Sequence, residues 1–162
     1  MKSACKIVLG LLSSKPTTSV RTWLSLVHVS SFFRHPKARI FVSRKLRRSY
    51  GVFLSPHCTY GKNFRIKHPV GVVIGSGVVI GENVTVFQNV TLGGRRMGDG
   101  GGDKYPSIGD GSIIFSGAVI LGDVKIGKNA VVGANAVVLQ NVPDDATAVG
   151  VPATIIQKKK IV

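Results

Sequence analysis

From Ile74 onward the chain repeats itself every six residues, and that period constrains the fold before any single residue does. The text runs IGSGVV, IGENVT, VFQNVT and LGG, with aliphatic residues at Ile74, Ile80, Val86 and Leu92 and a second set at Val78, Val84 and Val90. The beat resumes at Ile108 and continues through Ile114, Ile120, Ile126, Val132 and Val138. Its second set there is Ser112, Ala118, Val124, Ala130, Ala136 and Val142. Amphipathic helices repeat near 3.6 residues and half-buried strands near two, so six is neither. Very short strands joined by sharp turns and stacked in register give such a beat: a parallel β-helix, an all-β solenoid. Gly after the aliphatic position, at 75, 81, 93, 109, 127 and 133, suits the turns. A sandwich of Val- and Ile-rich strands has no reason to hold ten beats in register.

An internal column of Val and Ile, each worth about 1.5–3 kcal/mol when fully buried, stabilises such a coil without disulfides. The 162 residues suit one solenoid, placed at 51–150, with a basic helical segment at 1–50 before it and a tail at 151–162. Cys5 and Cys58 are the only cysteines and lack metal-type spacing, which points to a reducing compartment. Ile7 to Leu12 is short for a signal-peptide core, and no run approaches the roughly 20 apolar residues of a membrane span. A cytoplasmic protein is expected.

Charge is divided unevenly. Residues 1–81 carry fourteen Lys and Arg and no Asp or Glu, whereas residues 82–162 carry eight basic and seven acidic residues. The first fifty residues mix apolar stretches (TWLSLVHVSSFF) with basic clusters (RHPKAR, SRKLRR). Such a segment suits peripheral contact with an anionic membrane. A solvated basic face packed on the coil is the alternative. No nucleic-acid motif and no aromatic interleaving accompany the charge, so a nucleic-acid partner is not expected.

The repeat is interrupted twice. The larger interruption, GGRRMGDGGGDKYPS at 93–107, holds six glycines and lacks the P-loop pattern. The smaller one surrounds His68: Tyr60 and Ile66 keep the beat, but the next aliphatic position, Ile74, comes eight residues on. Two extra residues form a bulge that re-aims the histidine side chain. Pro69 predicts an extended backbone for His68. Histidines occur at 28, 35, 57 and 68 alone, so the later coils offer no imidazole for a three-histidine zinc site, and no metal is expected.

Taken together, HPVGVVIG at 68–75, VTLGG at 90–94, GGDKYP at 101–106, the run from Ala118 to Pro143 and the closing AVGVPATII resemble the hexapeptide-repeat acyltransferases. The serine O-acetyltransferase-like branch matches best, from about Val52 to Ile156. The resemblance implies a left-handed coil, a homotrimer and acetyl-CoA in a groove between neighbouring coils. It implies His68 as the general base that takes a proton from an acceptor hydroxyl and later returns one to the CoA thiolate. Ser116 and Ala134, eighteen residues apart and so in one column, would leave room for the pantetheine arm beside Gly94. Lys128 would meet the CoA phosphates. Lys67, Asp103, Lys104 and Tyr105 fall on the acceptor side.

Departures from that branch bear on the acceptor. Serine acetyltransferases carry Asp before the histidine, where this chain has Lys67. They carry Arg-His after GGD, where it has Lys104-Tyr105. They carry another Asp fifteen residues before the histidine, where it has Phe53. These changes remove groups that would grip an ammonium. The expected acceptor is therefore a saccharide hydroxyl in surface-polysaccharide synthesis, with L-serine as the alternative and a non-catalytic trimeric β-helix as a third reading.

Overall fold

The computed structural model describes residues 36–95 and 104–157. Almost every beat becomes a strand of two or three residues followed by a corner, and the strands stack on three faces. Numbered in chain order, the first face holds β1 (Phe53–Leu54), β4 (Val73–Ile74), β7 (Thr91–Gly93), β10 (Val119–Leu121) and β13 (Val137–Val138). The second holds β2 (Thr59–Tyr60), β5 (Val79–Ile80), β8 (Ser107–Ile108) and β11 (Lys125–Ile126). The third holds β3 (Arg65–Ile66), β6 (Thr85–Val86), β9 (Ile113–Ile114), β12 (Val131–Val132) and β14 (Thr147–Val149), closed by the antiparallel β15 (Thr154–Ile156).

All pairings between coils are parallel. In the upper coils Val119 pairs with Val137 and Val131 with Ile113, eighteen positions apart. Each coil thus spends six residues per face. Both aliphatic columns point inward: Ile74, Val86, Leu92, Ile114, Ile120, Val132 and Val138 are buried, as are Val78, Val84, Val90, Ala118, Ala130 and Ala136. Ser112 is the polar member of the second column, and its hydroxyl donates to the Gly127 carbonyl at 2.7 Å.

Helix α1 (Pro36–Tyr50) closes the first coil. Val42 and Leu46, one turn apart, are buried against Val52 and Leu54. Arg39 donates to the Cys58 carbonyl and Ser43 to that of Leu54, fixing the helix across the coil opening. The helix stops at Gly51, whose positive φ of 65° lets its N–H return to the Arg47 carbonyl. The rest of the expected N-terminal segment, residues 1–35, lies outside the described residues.

At the corner between the second and third faces the coils approach so closely that a side chain is excluded. A Cβ on Gly109 would stand 2.6 Å from the Gly127 backbone. Gly109→Ala is therefore expected to lower stability by about 1–3 kcal/mol, the usual range for overpacking, as measured by urea unfolding.

Burial also pushes the Cys58 thiol from an ordinary value of 9.0 to about 12, and raises the Tyr60 phenol. Between these values the unfolded chain loses the Cys58 proton while the folded chain keeps it. That contribution to stability is intact below pH 9 and drains away as pH rises towards about 12. The urea midpoint should fall over this window, and fall less steeply in Cys58→Ala.

Candidate functional site at the corner between the third and first faces

The two-residue interruption appears as a register shift. Phe53 pairs with Val73, twenty positions on, where upper coils repeat at eighteen. The surplus lies between β3 and β4, at the corner from the third face to the first.

In the other coils this corner turns through a left-handed residue, Asn89 or Asn135, or through Gly117. Their N–H groups follow one another up the column: Asn89 donates to Val70, Gly117 to Gln88 and Asn135 to Ser116. Gly71, with φ of 67°, fills that position in the first coil. His68 is an additional left-handed residue, at φ 50°, created by the insertion. This corrects the extended backbone expected from Pro69. The Val70 N–H closes on the His68 carbonyl at 2.7 Å, and this tight turn around Pro69 holds the bend. Among the described residues every other non-glycine residue at positive φ is Asn or Asp, whose short polar chains tolerate it. For a histidine this backbone costs on the order of 1–3 kcal/mol, a strain that concentrates at functional sites.

The His68 side chain is exposed. Among the described residues its ring makes no hydrogen bond, and it leans on Phe87, with ring centroids 6.3 Å apart. Phe87 stacks in turn on Phe115 at 5.1 Å and 16°. Ser116 and Ala134 stand one above the other at this same corner, as the pairing of Ile114 with Val132 requires. Ser116 is half-buried and Ala134 exposed. Lys67 points outward beside His68, exposed. Phe53, on the strand below Val73, is 41% exposed.

The next corner carries the long loop. Val79 pairs with Ser107, twenty-eight positions on, so ten residues are extruded between β7 and β8. Gly94 leaves the coil half-buried, and Arg95 lies against Gly122. Tyr105 brings the chain back by laying its ring on the turn at Gly75 and Gly77, where a Cβ on Gly77 would stand 2.4 Å from Tyr105 Cδ2. Lys104 is exposed, and Asp103 lies outside the described residues.

Lys128 belongs to neither corner. It stands between the second and third faces, where its ammonium lies 3.4 Å from Asp110 and its N–H donates to Asp144. The Asp110 carboxyl is held below its ordinary value, first by the Glu82 N–H and then by Lys128. Within one chain, therefore, His68, Ser116 and Ala134 share a corner, Gly94, Lys104 and Tyr105 occupy the next, and Lys128 the third. Among the described residues no three of His, Cys, Asp or Glu converge as a metal site would require.

The Bacterial transferase hexapeptide (six repeats) family matches residues 105–140. The serine acetyltransferase of Escherichia coli (strain K12) is 41% identical over 119 residues, 74% of this chain and 43% of that protein. A soybean serine acetyltransferase solved in complex with serine superposes with a TM-score of 0.70 at 40% identity, over 87% of this chain and 56% of that one. A serine acetyltransferase solved in complex with CoA gives 0.72 at 32% identity, over 90% and 59%. The chain belongs to the hexapeptide-repeat acyltransferases, in the serine O-acetyltransferase-like group. Its coil is accordingly a left-handed parallel β-helix. The chain spans about half the length of the curated relatives it matches.

Sequence reasoning missed Phe87 and Phe115. Both directly follow a core aliphatic residue, Val86 and Ile114, and counting one step past the beat would have put them in a single outward column with Lys67. Gln88, the residue after Phe87, carries a buried Oε1 with no hydrogen-bond partner. Because asparagine accepts a left-handed backbone, His68→Asn should unfold at or above the native temperature; a drop of several degrees would show that the His68 backbone is unstrained.

Proposed function

We propose that this protein is an acetyl-CoA-dependent O-acetyltransferase with His68 as its general base. The observation that carries the reading is a strained, exposed histidine at the one corner where the coil admits two extra residues, within a chain 41% identical to a serine acetyltransferase. A hydroxyl is a weak nucleophile towards a thioester until its proton leaves. Neutral imidazole takes that proton as the hydroxyl oxygen attacks the acetyl carbonyl carbon. The carbon–sulfur bond then breaks, and the imidazolium returns the proton to the CoA thiolate. Ser116 and Ala134 leave the corner open for the pantetheine arm, with Gly94 at the neighbouring corner. Lys128, a corner away within one chain, would reach CoA phosphates only across a subunit boundary, as in the homotrimer we propose with the family.

The relatives are named serine acetyltransferases, and this favours L-serine as acceptor over the saccharide expected from the sequence. A specific observation supports the saccharide as the second reading: no Asp or Glu occurs in residues 36–81, so the His68 coil offers no carboxylate to an ammonium, and Lys67 stands exposed beside the ring. Lys104 and Tyr105 would then contact the acceptor from the loop, together with Asp103. For a cytoplasmic protein, we propose peripheral contact with an anionic membrane through residues 1–50. The exposed Lys37, Arg44, Lys45, Arg47 and Arg48 of α1, with exposed Ile40 and Phe41 among them, support it. Among the described residues no helix is long and apolar enough to cross a membrane.

The test is CoA release from acetyl-CoA with L-serine, and separately with saccharide acceptors, beside His68→Asn. Release should saturate with one acceptor and fall at least about 10²-fold in the variant. Unchanged turnover in His68→Asn would overturn the assignment of the base.

A further inference from the structure

We infer that Phe87, backed by Phe115, is the positioning residue for His68. The inference rests on His68 being the base. A base must point its nitrogen at the acceptor hydroxyl, and an exposed side chain on a corner turn needs something to fix its two torsions. In many enzymes a carboxylate or carbonyl does this by accepting the ring N–H. Here no acid occurs anywhere in residues 36–81, and among the described residues the His68 ring makes no hydrogen bond. Glu82 stands at a different corner, where its backbone N–H binds Asp110.

What the ring does touch is Phe87. The centroid separation of 6.3 Å and tilt of 37° lie within the range in which aromatic rings attract each other beyond simple burial. Phe87 is itself held. It follows Val86, which is fully buried, its N–H is fixed to the Ile114 carbonyl at 2.9 Å, and its ring stacks on Phe115 one coil above. Phe115 is anchored in the same manner to the Val132 carbonyl. The stack thus transmits the rigidity of two coils to a side chain whose own backbone lies in a bulge. The ring of His68, which follows β3, meets the rung directly above its own, where Phe87 follows β6.

Without the Phe87 ring the imidazole samples several rotamers, and only one of them faces the acceptor. Phe87→Ala should therefore lower kcat about tenfold or more while KM for acetyl-CoA stays within about twofold, an entropic loss of orientation. Phe87→Leu keeps apolar bulk without a ring and should behave like Phe87→Ala, and Phe87→Tyr or Phe87→Trp should restore most of the rate.

A measurement independent of turnover separates this inference from the assignment of the base. In protein labelled at histidine, the His68 Cε1–H and Cδ2–H resonances, identified by their loss in His68→Asn, should carry the ring-current displacement of a neighbouring aromatic face. They should move towards random-coil positions in Phe87→Leu. If they do not move in Phe87→Leu and kcat is also unchanged, Phe87 does not position His68. If they move but His68→Asn retains full turnover, the contact stands and the role of His68 as base fails.

Discussion

Everything in this molecule depends on the parallel hydrogen-bond ladder that returns each rung above the last after eighteen residues. Once Val119 is set on Val137 and Ile113 on Val131, the three faces, both buried columns and the composition of each corner follow. At the corner between the second and third faces the residue after each strand has no latitude, because backbones of successive coils meet there at distances that exclude a Cβ. An insertion cannot be absorbed by the wall and has to leave it. The two surplus residues before β4 and the ten before β8 are therefore displaced outward at corners, and the ladder resumes in register immediately afterwards. Solenoids of this kind separate function from stability mechanically: the coil is indifferent to what is extruded, provided that six-residue spacing is restored.

That separation explains why a histidine tolerates a left-handed backbone at 68. The cost, on the order of 1–3 kcal/mol, is local. It is offset many times over by a column in which Ile74, Leu92, Ile114 and Ile120 are fully buried. It also explains why the long loop returns through Tyr105. Gly75 and Gly77 leave a shallow floor at the turn after β4, and an aromatic ring laid on that floor re-enters the core's edge without disturbing the ladder.

The architecture was legible in the sequence because its signal is redundant. Ten beats each repeat the same statement, and the two interruptions were visible as counting errors of two and ten residues. The conformation at those interruptions was not legible. Pro69 locally favours an extended predecessor, yet the corner must turn and the Val70 N–H must find an acceptor, so His68 is forced to φ 50°. The Phe87–Phe115 stack was hidden for another reason. Its two residues are twenty-eight positions apart, and the ten extruded loop residues had to be subtracted before they fell in one column. Lys128 shows the converse limit: a basic residue of the right type in the right domain stands, within a single chain, one corner away from His68.

The charge division of the sequence acquires a structural meaning in the same way. Two acids of the later coils serve the corner between the second and third faces: Asp110 accepts from the Glu82 N–H, and Asp144 from the Lys128 N–H. These carboxylates serve as backbone partners at turns and place negative charge in the later coils. The first coil turns the same corner through Asn63, whose side-chain amide donates to Asn83 one coil above, and uses no acid there. The end of the solenoid that presents His68 is thus the end where positive charge goes uncompensated, with Lys67 beside the ring and α1 capping the opening. An acceptor carrying negative charge would be drawn to that end by the field of the whole segment, whereas an ammonium would be opposed by it. The approach of any acceptor hydroxyl to this corner would be governed by that sign.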